Sequence, residues 1–384
     1  MKRSATEDSS EINAVVSSDG DCGPITDMQL AFIHAGEKVK GSSTIQARMV
    51  RRARDIPVLK EAWKAAITSE PIFRTKFDLL SVTQTVSRDT EVTFCWEEVE
   101  VSTAMLYEEE VTNTSIDIGI GTAFKVVTYG EDSTLIWTVH HALIDGYSAS
   151  LILKKVQAVI LGDRACPGPS FARLARELAL LQEKEQAQVK AFCRHQQVTF
   201  DHAVGHLYLP KPDIERLPQG ACGSAELRID TGFSLADISK LAIDLGIRPA
   251  AAFYAAWAIL LSNYTNSNQV VFGAVLSGRN LPLPLVDIVV GPLVNTLALR
   301  VNINQSDTAV NLLHSISADI YQLSRFQWLG ESNNTRPFST ALATQYDLAI
   351  GQGAFASVRE TSDIPMSVFI ESDMSVRFLY HPTV

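Results

Sequence analysis

The sequence has few cysteines and no CxxC pair among them. The five are scattered along the chain, at Cys22, Cys95, Cys166, Cys193 and Cys222. An odd number of unpaired positions argues against a disulfide framework and against a thiolate zinc site. The pattern favours a reducing compartment and predicts a cytoplasmic protein.

Positive charge and long apolar runs are also scarce. The 33 lysines and arginines are outnumbered by 43 aspartates and glutamates, which gives a net charge of −10. A field of this sign repels phosphate groups, so we expect neither nucleic acid nor an anionic membrane surface as a partner. The longest apolar stretch, Pro249 to Leu261, is shorter than the ~20 residues that span a bilayer. The polar segment from Met1 to Gly23 lacks the apolar core of an export signal.

What is present is enough apolar sequence for two packed domains. Of the 384 residues, 46% are hydrophobic and 20% are charged, which is typical of a well-buried globular chain. Strand and helix patterns alternate in both halves and predict an α/β fold. We expect a disordered leader over residues 1–22, an N-terminal lobe over 23–203 and a C-terminal lobe over 204–384. The stretch 204–223, rich in proline and glycine, is interpreted as the crossing between lobes.

One predicted strand leads directly into a group of polar residues. Leu135 to Val139 is apolar at nearly every position, which indicates a strand buried on both faces. It is followed by His140-His141-x-x-x-Asp145-Gly146 and then by a helix predicted over 148–161. Further predictions are helices over 57–69, 170–195, 234–245 and 307–323, a strand over 72–77, and a hairpin of 366–371 with 376–380.

The histidine pair has the chemistry of a proton carrier. Neutral imidazole has a reference pKa of ~6.5 and accepts or returns a proton near neutral pH. Amide or ester formation from a thioester needs such a group, because the attacking amine or hydroxyl must lose a proton. Adjacent residues of a strand point to opposite faces, so one histidine is expected in a channel. The spacing alone does not say whether it is His140 or His141.

Two other interpretations apply to the same residues. A His-His pair in a buried strand is, taken by itself, more often a pair of satisfied core residues than a catalytic base. Two histidines and one aspartate are also the beginning of an open metal site, but no other ligand cluster supports it. We therefore predict no metal.

Five ordered segments, taken together, resemble the condensation domains of nonribosomal peptide synthetases, in a fungal style. The histidine motif resembles the signature of that family. The other four segments are Thr26-Asp27-Met28-Gln29-Leu30, Glu70-Pro71-Ile72-Phe73-Arg74-Thr75-Lys76-Phe77, Val271-Phe272-Gly273-Ala274-Val275-Leu276-Ser277-Gly278-Arg279-Asn280 and Val290-Gly291-Pro292-Leu293-Val294-Asn295-Thr296-Leu297. The resemblance covers roughly residues 24–381.

The resemblance implies a two-lobed fold of the chloramphenicol-acetyltransferase type, with a tunnel between the lobes. It assigns catalysis to the second histidine, His141, with His140 in a supporting role. It implies that Asp145 is structural and pairs with Arg74, a pairing consistent with the need of a buried carboxylate for a charged partner. Gly146 is expected to allow a tight turn and to offer its N–H to an oxyanion.

Three further residues are assigned with their alternatives. Asn295 is expected to hydrogen-bond backbone across the lobe junction, or else to form a plain turn. Ser148 is a candidate substrate contact, although a helix N-cap is the favoured interpretation. Arg279 is a candidate tunnel residue, with a solvated turn as an equal alternative.

The leading hypothesis is an acyltransferase that joins two carrier-bound acyl groups through an amide or ester bond. Its implied partners are peptidyl or aminoacyl carrier proteins, whose phosphopantetheine arms bring the substrates, so no directly bound cofactor is expected. We expect a monomer. The alternative is a carrier-binding module without catalysis, or a truncated inactive protein, because the second lobe resembles one that lacks its final helix. An acyl-CoA-dependent enzyme is disfavoured by the lack of an Asp-Phe-Gly-Trp-Gly segment, and a cyclising type by the retained histidines.

Overall fold

The computed structural model describes residues 21–38, 41, 43–88, 94–115, 118–188, 191, 225–304, 306–328, 338–344, 357–360 and 364–380. The α-helices of these ranges are α1 (Asp27–Lys38), α2 (Ile56–Ser69), α3 (Ala104–Asn113), α4 (Gly146–Ile160), α5 (Phe171–Lys184), α6 (Leu235–Leu245), α7 (Ala250–Thr265) and α8 (Ala309–Arg325). The strands are β1 (Cys22–Pro24), β2 (Thr44–Arg52), β3 (Thr75–Asp78), β4 (Thr83–Val86), β5 (Cys95–Glu100), β6 (Thr122–Tyr129), β7 (Asp132–His140), β8 (Ala225–Ile229), β9 (Gln269–Leu276), β10 (Asn295–Asn302), β11 (Thr340–Thr344), β12 (Ser357–Glu360), β13 (Met366–Ile370) and β14 (Val376–Tyr380).

The first half of the chain is built on a five-stranded sheet in the order β12-β2-β7-β6-β5. Its central strand β7 pairs antiparallel with β2 and β6. Every residue from Ser133 to His140 is buried, which confirms the predicted strand covered on both faces. On one face Trp137 packs against Trp63 of α2, with ring centroids 4.8 Å apart. On the other face Ile136 packs with Val111 of α3.

The second half is built on a six-stranded sheet in the order β10-β9-β11-β13-β14-β8. Strand β11 runs parallel to both β9 and β13, and the other pairs are antiparallel. The predicted hairpin is confirmed, since β13 and β14 pair with Met366 opposite Tyr380. Apolar side chains of α7 and α8, such as Trp257 and Ile320, form the core on this sheet.

The two halves share packing at their junction. The segment between β9 and β10 places Leu281, Val289 and Leu293 in the same apolar cluster as Ile152 of α4 and Phe171 of α5. Strand β12, which comes late in the chain, pairs with β2 of the first sheet. The predicted boundary at 203/204 lies outside the described residues and stays a prediction. Because β12 pairs with β2, part of the predicted C-terminal lobe, 204–384, belongs to the sheet of the first half.

A third, three-stranded sheet, β1-β4-β3, supports helix α1. The helix begins with a capping box in which Thr26 N–H donates to Gln29 Oε1 (3.1 Å) and Gln29 N–H donates to Thr26 Oγ1 (3.2 Å). Ile33 of α1 packs with Ala142, which lies in the loop after β7. Helix α1 is therefore held against the histidine motif.

One local prediction is wrong in part. The strand predicted over 72–77 is a 3₁₀ turn at Pro71–Arg74 followed by β3, because proline presets the helical φ at the first position of a turn. The helix predicted over 170–195 is confirmed over α5, Phe171–Lys184, and residues 186–188 are again helical, whereas residues 189, 190 and 192–195 lie outside the described ranges. Residues 1–20 of the predicted leader also lie outside them, whereas Cys22 already belongs to β1. The predicted capping box at Ser234 and Asp237 is confirmed.

The described ranges contain no single helix that is both long and apolar enough to cross a bilayer. Helices α6 and α7 meet the requirement only as a pair, and the chain bends by 96° between them. The described cysteines Cys22, Cys95 and Cys166 are free thiols. Within the same ranges, no three histidine, cysteine, aspartate or glutamate side chains are grouped to hold a metal ion.

Candidate active site

The two histidines at the end of β7 differ in their surroundings. His140 is 4% exposed, and its Nδ1 accepts a hydrogen bond from the Ala142 N–H (3.1 Å). His141 is partly exposed, and its backbone N–H donates to the Ser43 carbonyl (2.7 Å). Of the two histidines, His141 is therefore the one that solvent reaches more readily.

The buried histidine is held in its neutral form. Burial and, to a smaller extent, the neighbouring His141 together lower the pKa of His140 from 6.5 to about 4. The hydrogen bond accepted by Nδ1 requires that this nitrogen carries no proton. At neutral pH His140 is therefore an uncharged structural side chain.

The imidazole of His141 lies against an aromatic ring. It stacks on Phe32 of α1, with ring centroids 4.1 Å apart and planes inclined by 12°. Its Nδ1 is buried and has no hydrogen-bond partner among the described residues. No carboxylate in the described part of the chain orients this ring, in contrast to a serine-protease-like triad.

Asp145 is the N-cap of α4. Its Oδ1 accepts a hydrogen bond from the Ser148 N–H (2.7 Å), which satisfies one of the free N–H groups at the start of the helix. The favoured interpretation of Ser148 as the N-cap is therefore wrong, because the chain enters the helix three residues earlier. Gly146 is the first residue of α4 rather than a residue of a separate turn.

The charged partner of Asp145 is Arg279, not Arg74. Arg279 Nη2 lies 3.0 Å and 3.1 Å from the two carboxylate oxygens, and both side chains are nearly fully buried. Arg74 instead lies near Glu70 and reaches the Thr68 carbonyl at 3.4 Å. The predicted Asp145–Arg74 pair is wrong because Arg74 belongs to the 3₁₀ turn after α2, whereas the loop after β9 brings Arg279 to the start of α4.

Arg279 and Ser148 are buried structural groups in this arrangement. Arg279 Nη1 donates to the carbonyls of Val286 (3.0 Å) and Val289 (2.7 Å), and its guanidinium lies 4.5 Å from the ring of Tyr147. The Ser148 hydroxyl donates to the Gly291 carbonyl (2.9 Å) and accepts from the Gly291 N–H (3.0 Å). The expectations of a solvated Arg279 and of a Ser148 hydroxyl free for substrate are both wrong, because both side chains are buried and the Ser148 hydroxyl already donates and accepts hydrogen bonds.

The carboxylate of Asp145 also holds the backbone of the second half. Its Oδ2 accepts from the N–H groups of Leu293 (2.9 Å) and Val294 (3.1 Å). Burial alone would raise the pKa of Asp145, but Arg279 and the hydrogen bonds outweigh it, so the pKa lies below its usual value. Asp145 is therefore an ionised clamp between the two halves, and both of its carboxylate oxygens accept hydrogen bonds.

Asn295 lies at the start of β10, close to this clamp. Its Nδ2 donates to the Gln327 carbonyl (2.7 Å) and its Oδ1 accepts from the Thr296 N–H (2.8 Å). This backbone hydrogen bond joins two segments of the second half, so the predicted bond across the lobe junction stays a prediction.

A small cleft, with a cavity volume of about 30 Å³, lies between the two halves beside these residues. The first half contributes the start of α1 and the α5 side chains of Leu178 and Gln182. The second half contributes six residues: Leu281, Pro292, Leu293, Asn295, Gln327 and Trp328. The junction therefore contains open space next to the clamp.

Sequence reasoning missed the residues of α1 and β4 that support the motif. Gln29 Nε2 lies 3.2 Å from the Ala142 carbonyl, and Gln29 and Gln84 donate to each other through their side-chain amides (3.1 and 2.8 Å). Both glutamines are fully buried. The Thr-x-x-Gln spacing signals the capping box but gives no sign of this long-range contact, nor of the stack of Phe32 on His141.

The chain is similar in sequence to a known family and to individual relatives. A family model described as "Condensation domain" matches residues 21–330. The chain is 35% identical over 369 residues to the nonribosomal peptide synthetase aclP of Aspergillus oryzae, a match that covers 93% of the chain and 22% of that protein. It is 34% identical over 372 residues to the nonribosomal peptide synthetase echPS of Aspergillus ruber, covering 93% and 18%. The chain thus spans about a fifth of the length of these relatives.

Comparison with solved structures gives the fold. The first condensation domain of the calcium-dependent antibiotic synthetase, in complex with a substrate analogue, matches with a TM-score of 0.73 at 15% identity, covering 94% of this chain and 92% of that one. The condensation domain of the monacolin K polyketide synthase MokA matches with a TM-score of 0.72 at 16% identity and the same coverage. The predicted two-lobed α/β architecture is confirmed.

Proposed function

The chain belongs to the condensation-domain family, and on this premise we propose that it joins two acyl groups delivered as thioesters on carrier proteins. The product is an amide when the acceptor is an amine and an ester when it is a hydroxyl. The reaction belongs to the assembly of a nonribosomal peptide. The observation that carries the proposal is the partly exposed His141, which lies four positions before Asp145 in the motif, while the carboxylate of Asp145 is occupied by Arg279 and by backbone N–H groups.

The proposed step is a direct acyl transfer. The acceptor nitrogen attacks the donor carbonyl, a C–N bond forms and the C–S bond breaks. His141 takes the proton that the nitrogen loses and passes it to the departing thiolate, so no net proton is gained or lost. Because Nδ1 is buried, we assign this transfer to Nε2.

The negative charge that develops on the carbonyl oxygen must be stabilised by a hydrogen-bond donor. We assign this role to the N–H of Gly146, the first residue of α4, where the free N–H groups and the helix dipole favour an anion. The N-cap Asp145 is already neutralised by Arg279, so its carboxylate does not cancel that field.

The substrates are proposed to arrive on the phosphopantetheine arms of peptidyl or aminoacyl carrier proteins. The cleft between the halves is proposed as part of the passage for one arm, since it adjoins the segment 292–295, whose backbone binds Asp145. No cofactor bound directly to this chain enters the scheme. We propose that the unit acts as a monomer in the cytoplasm, with an N-terminal lobe to residue 203 and a C-terminal lobe from 204.

Reconstitution with two loaded carriers tests the proposal. One carrier bears a donor acyl group and the other an acceptor aminoacyl group, and intact-protein mass spectrometry follows both. We expect the donor mass to move onto the acceptor carrier, because transfer forms the new bond on the acceptor arm. Tight carrier binding in a calorimetric titration without any mass transfer would instead identify a non-catalytic carrier-binding module.

A further inference from the structure

The ring of His141 has no hydrogen-bonding group in the described residues to fix its orientation. Its Nδ1 is buried without a partner, and the carboxylate of Asp145 is fully used by Arg279 and by three backbone N–H groups. A general base must nevertheless present one nitrogen to the acceptor within hydrogen-bond reach. Some other contact must therefore restrict rotation of the imidazole.

Helix α1 supplies that contact. Phe32 stacks on the imidazole with centroids 4.1 Å apart and planes 12° from parallel. Gln29 precedes Phe32 by three residues, so both side chains lie on one face of the helix. Gln29 donates to the carbonyl of Ala142, the residue after His141. Helix α1 thus contacts two adjacent residues of the motif loop, through a hydrogen bond to Ala142 and through a ring stack on His141.

The register of this face of α1 is itself fixed. The backbone of Gln29 belongs to the capping box with Thr26, and its side chain is paired with Gln84 of β4, whose own Nε2 reaches the Pro24 carbonyl (2.8 Å). Rotation or sliding of α1 would break these buried hydrogen bonds, which is costly. Phe32 is therefore held rigidly in place.

We propose that Phe32 is a positioning residue that orients the His141 imidazole by stacking, in place of the carboxylate that orients the base in other acyl-transfer sites. An aromatic face restricts the ring plane and also attracts the imidazolium that forms when the base takes a proton. The proposal rests on the role of His141 given above.

Two substitutions of Phe32 separate stacking from simple packing. Phe32→Tyr keeps the aromatic face, whereas Phe32→Met keeps an apolar side chain without one. We expect kcat to fall on the order of tenfold in Phe32→Met and to stay within about twofold of the wild type in Phe32→Tyr. KM should be unchanged in both, because Phe32 contacts the base and not the substrate. Equal kcat values in the two variants, or a change confined to KM, would overturn the proposal.

Nuclear magnetic resonance of the imidazole tests the stack without any catalysis. The His141 ring protons, identified by their loss in His141→Gln, should lie upfield in the wild type and in Phe32→Tyr because of the ring current of the aromatic side chain. They should move downfield in Phe32→Met, with Phe32→Leu as a second non-aromatic variant if the first does not fold. Unshifted His141 protons in the wild type would refute the stack. If the wild type forms no product, the proposed function fails, and this signal still decides whether Phe32 holds the ring.

Discussion

Replacing His141 with alanine is expected to lower the rate of acyl transfer on the order of 10²–10⁴-fold, the usual contribution of a positioned general base. The substitution removes the partly exposed imidazole and leaves the buried His140 in place. His140 does not substitute for it, because it is 4% exposed and its Nδ1 is occupied by the Ala142 N–H. The measurement is the rate of product formation from a small thioester and an amine.

The controls separate chemistry from folding. His314 is exposed on α8, so His314→Ala should have wild-type activity. That result would show that the loss of a histidine elsewhere in the chain does not lower the rate of acyl transfer. Free imidazole should restore part of the activity of His141→Ala, because the space beside Phe32 admits a small ring. Equal turnover of wild type and His141→Ala would remove His141 from the mechanism.

Replacing Asp145 with alanine is expected to lower the free energy of unfolding by ~3–5 kcal/mol, the cost of leaving a buried charge without its partner. The substitution leaves the buried guanidinium of Arg279 without its carboxylate partner. It also removes the N-cap of α4 and the acceptor for the N–H groups of Leu293 and Val294. Denaturant unfolding at pH 7 measures the loss.

An exposed ion pair in the same chain provides the matched control. Asp132 lies 2.7 Å from Arg52 at the surface, where more than half of each side chain is exposed, so Asp132→Ala should cost at most about 1 kcal/mol. An Asp145→Ala protein as stable as Asp132→Ala would contradict the clamp.

The clamp also has a pH signature with a definite sign. Because the pKa of Asp145 is lowered in the folded protein, its stabilisation is present above the unfolded pKa. It is lost as the pH falls through the folded value. Stability of the wild type should therefore fall more steeply in acid than that of Asp145→Ala.

Elements with strong local patterns were predictable from the sequence. The apolar run Leu135–Val139 gave a strand buried on both faces, and the capping box at Ser234 marked the start of α6. The hairpin of β13 and β14 followed from its alternation and turn. These features depend on residues close together in the chain, so periodicity and turn chemistry are enough to identify them.

The connections of the site were not predictable in the same way. Asp145 and Arg279 are 134 positions apart, and nothing in local spacing selects Arg279 over Arg74. The choice depends on how the loop after β9 packs against α4. The stack of Phe32 on His141 is likewise a tertiary contact, set by buried glutamines whose partners lie on other elements.

The account depends most on a His141 imidazole that a carrier-borne substrate can reach. Bromoacetyl-pantetheine tests this directly, because its arm mimics a carrier-borne substrate and its reactive carbon alkylates an imidazole with loss of bromide. We expect peptide mass spectrometry to find the label on His141 and not on His140. Absence of label on His141 under conditions that label the exposed His314 would contradict the account.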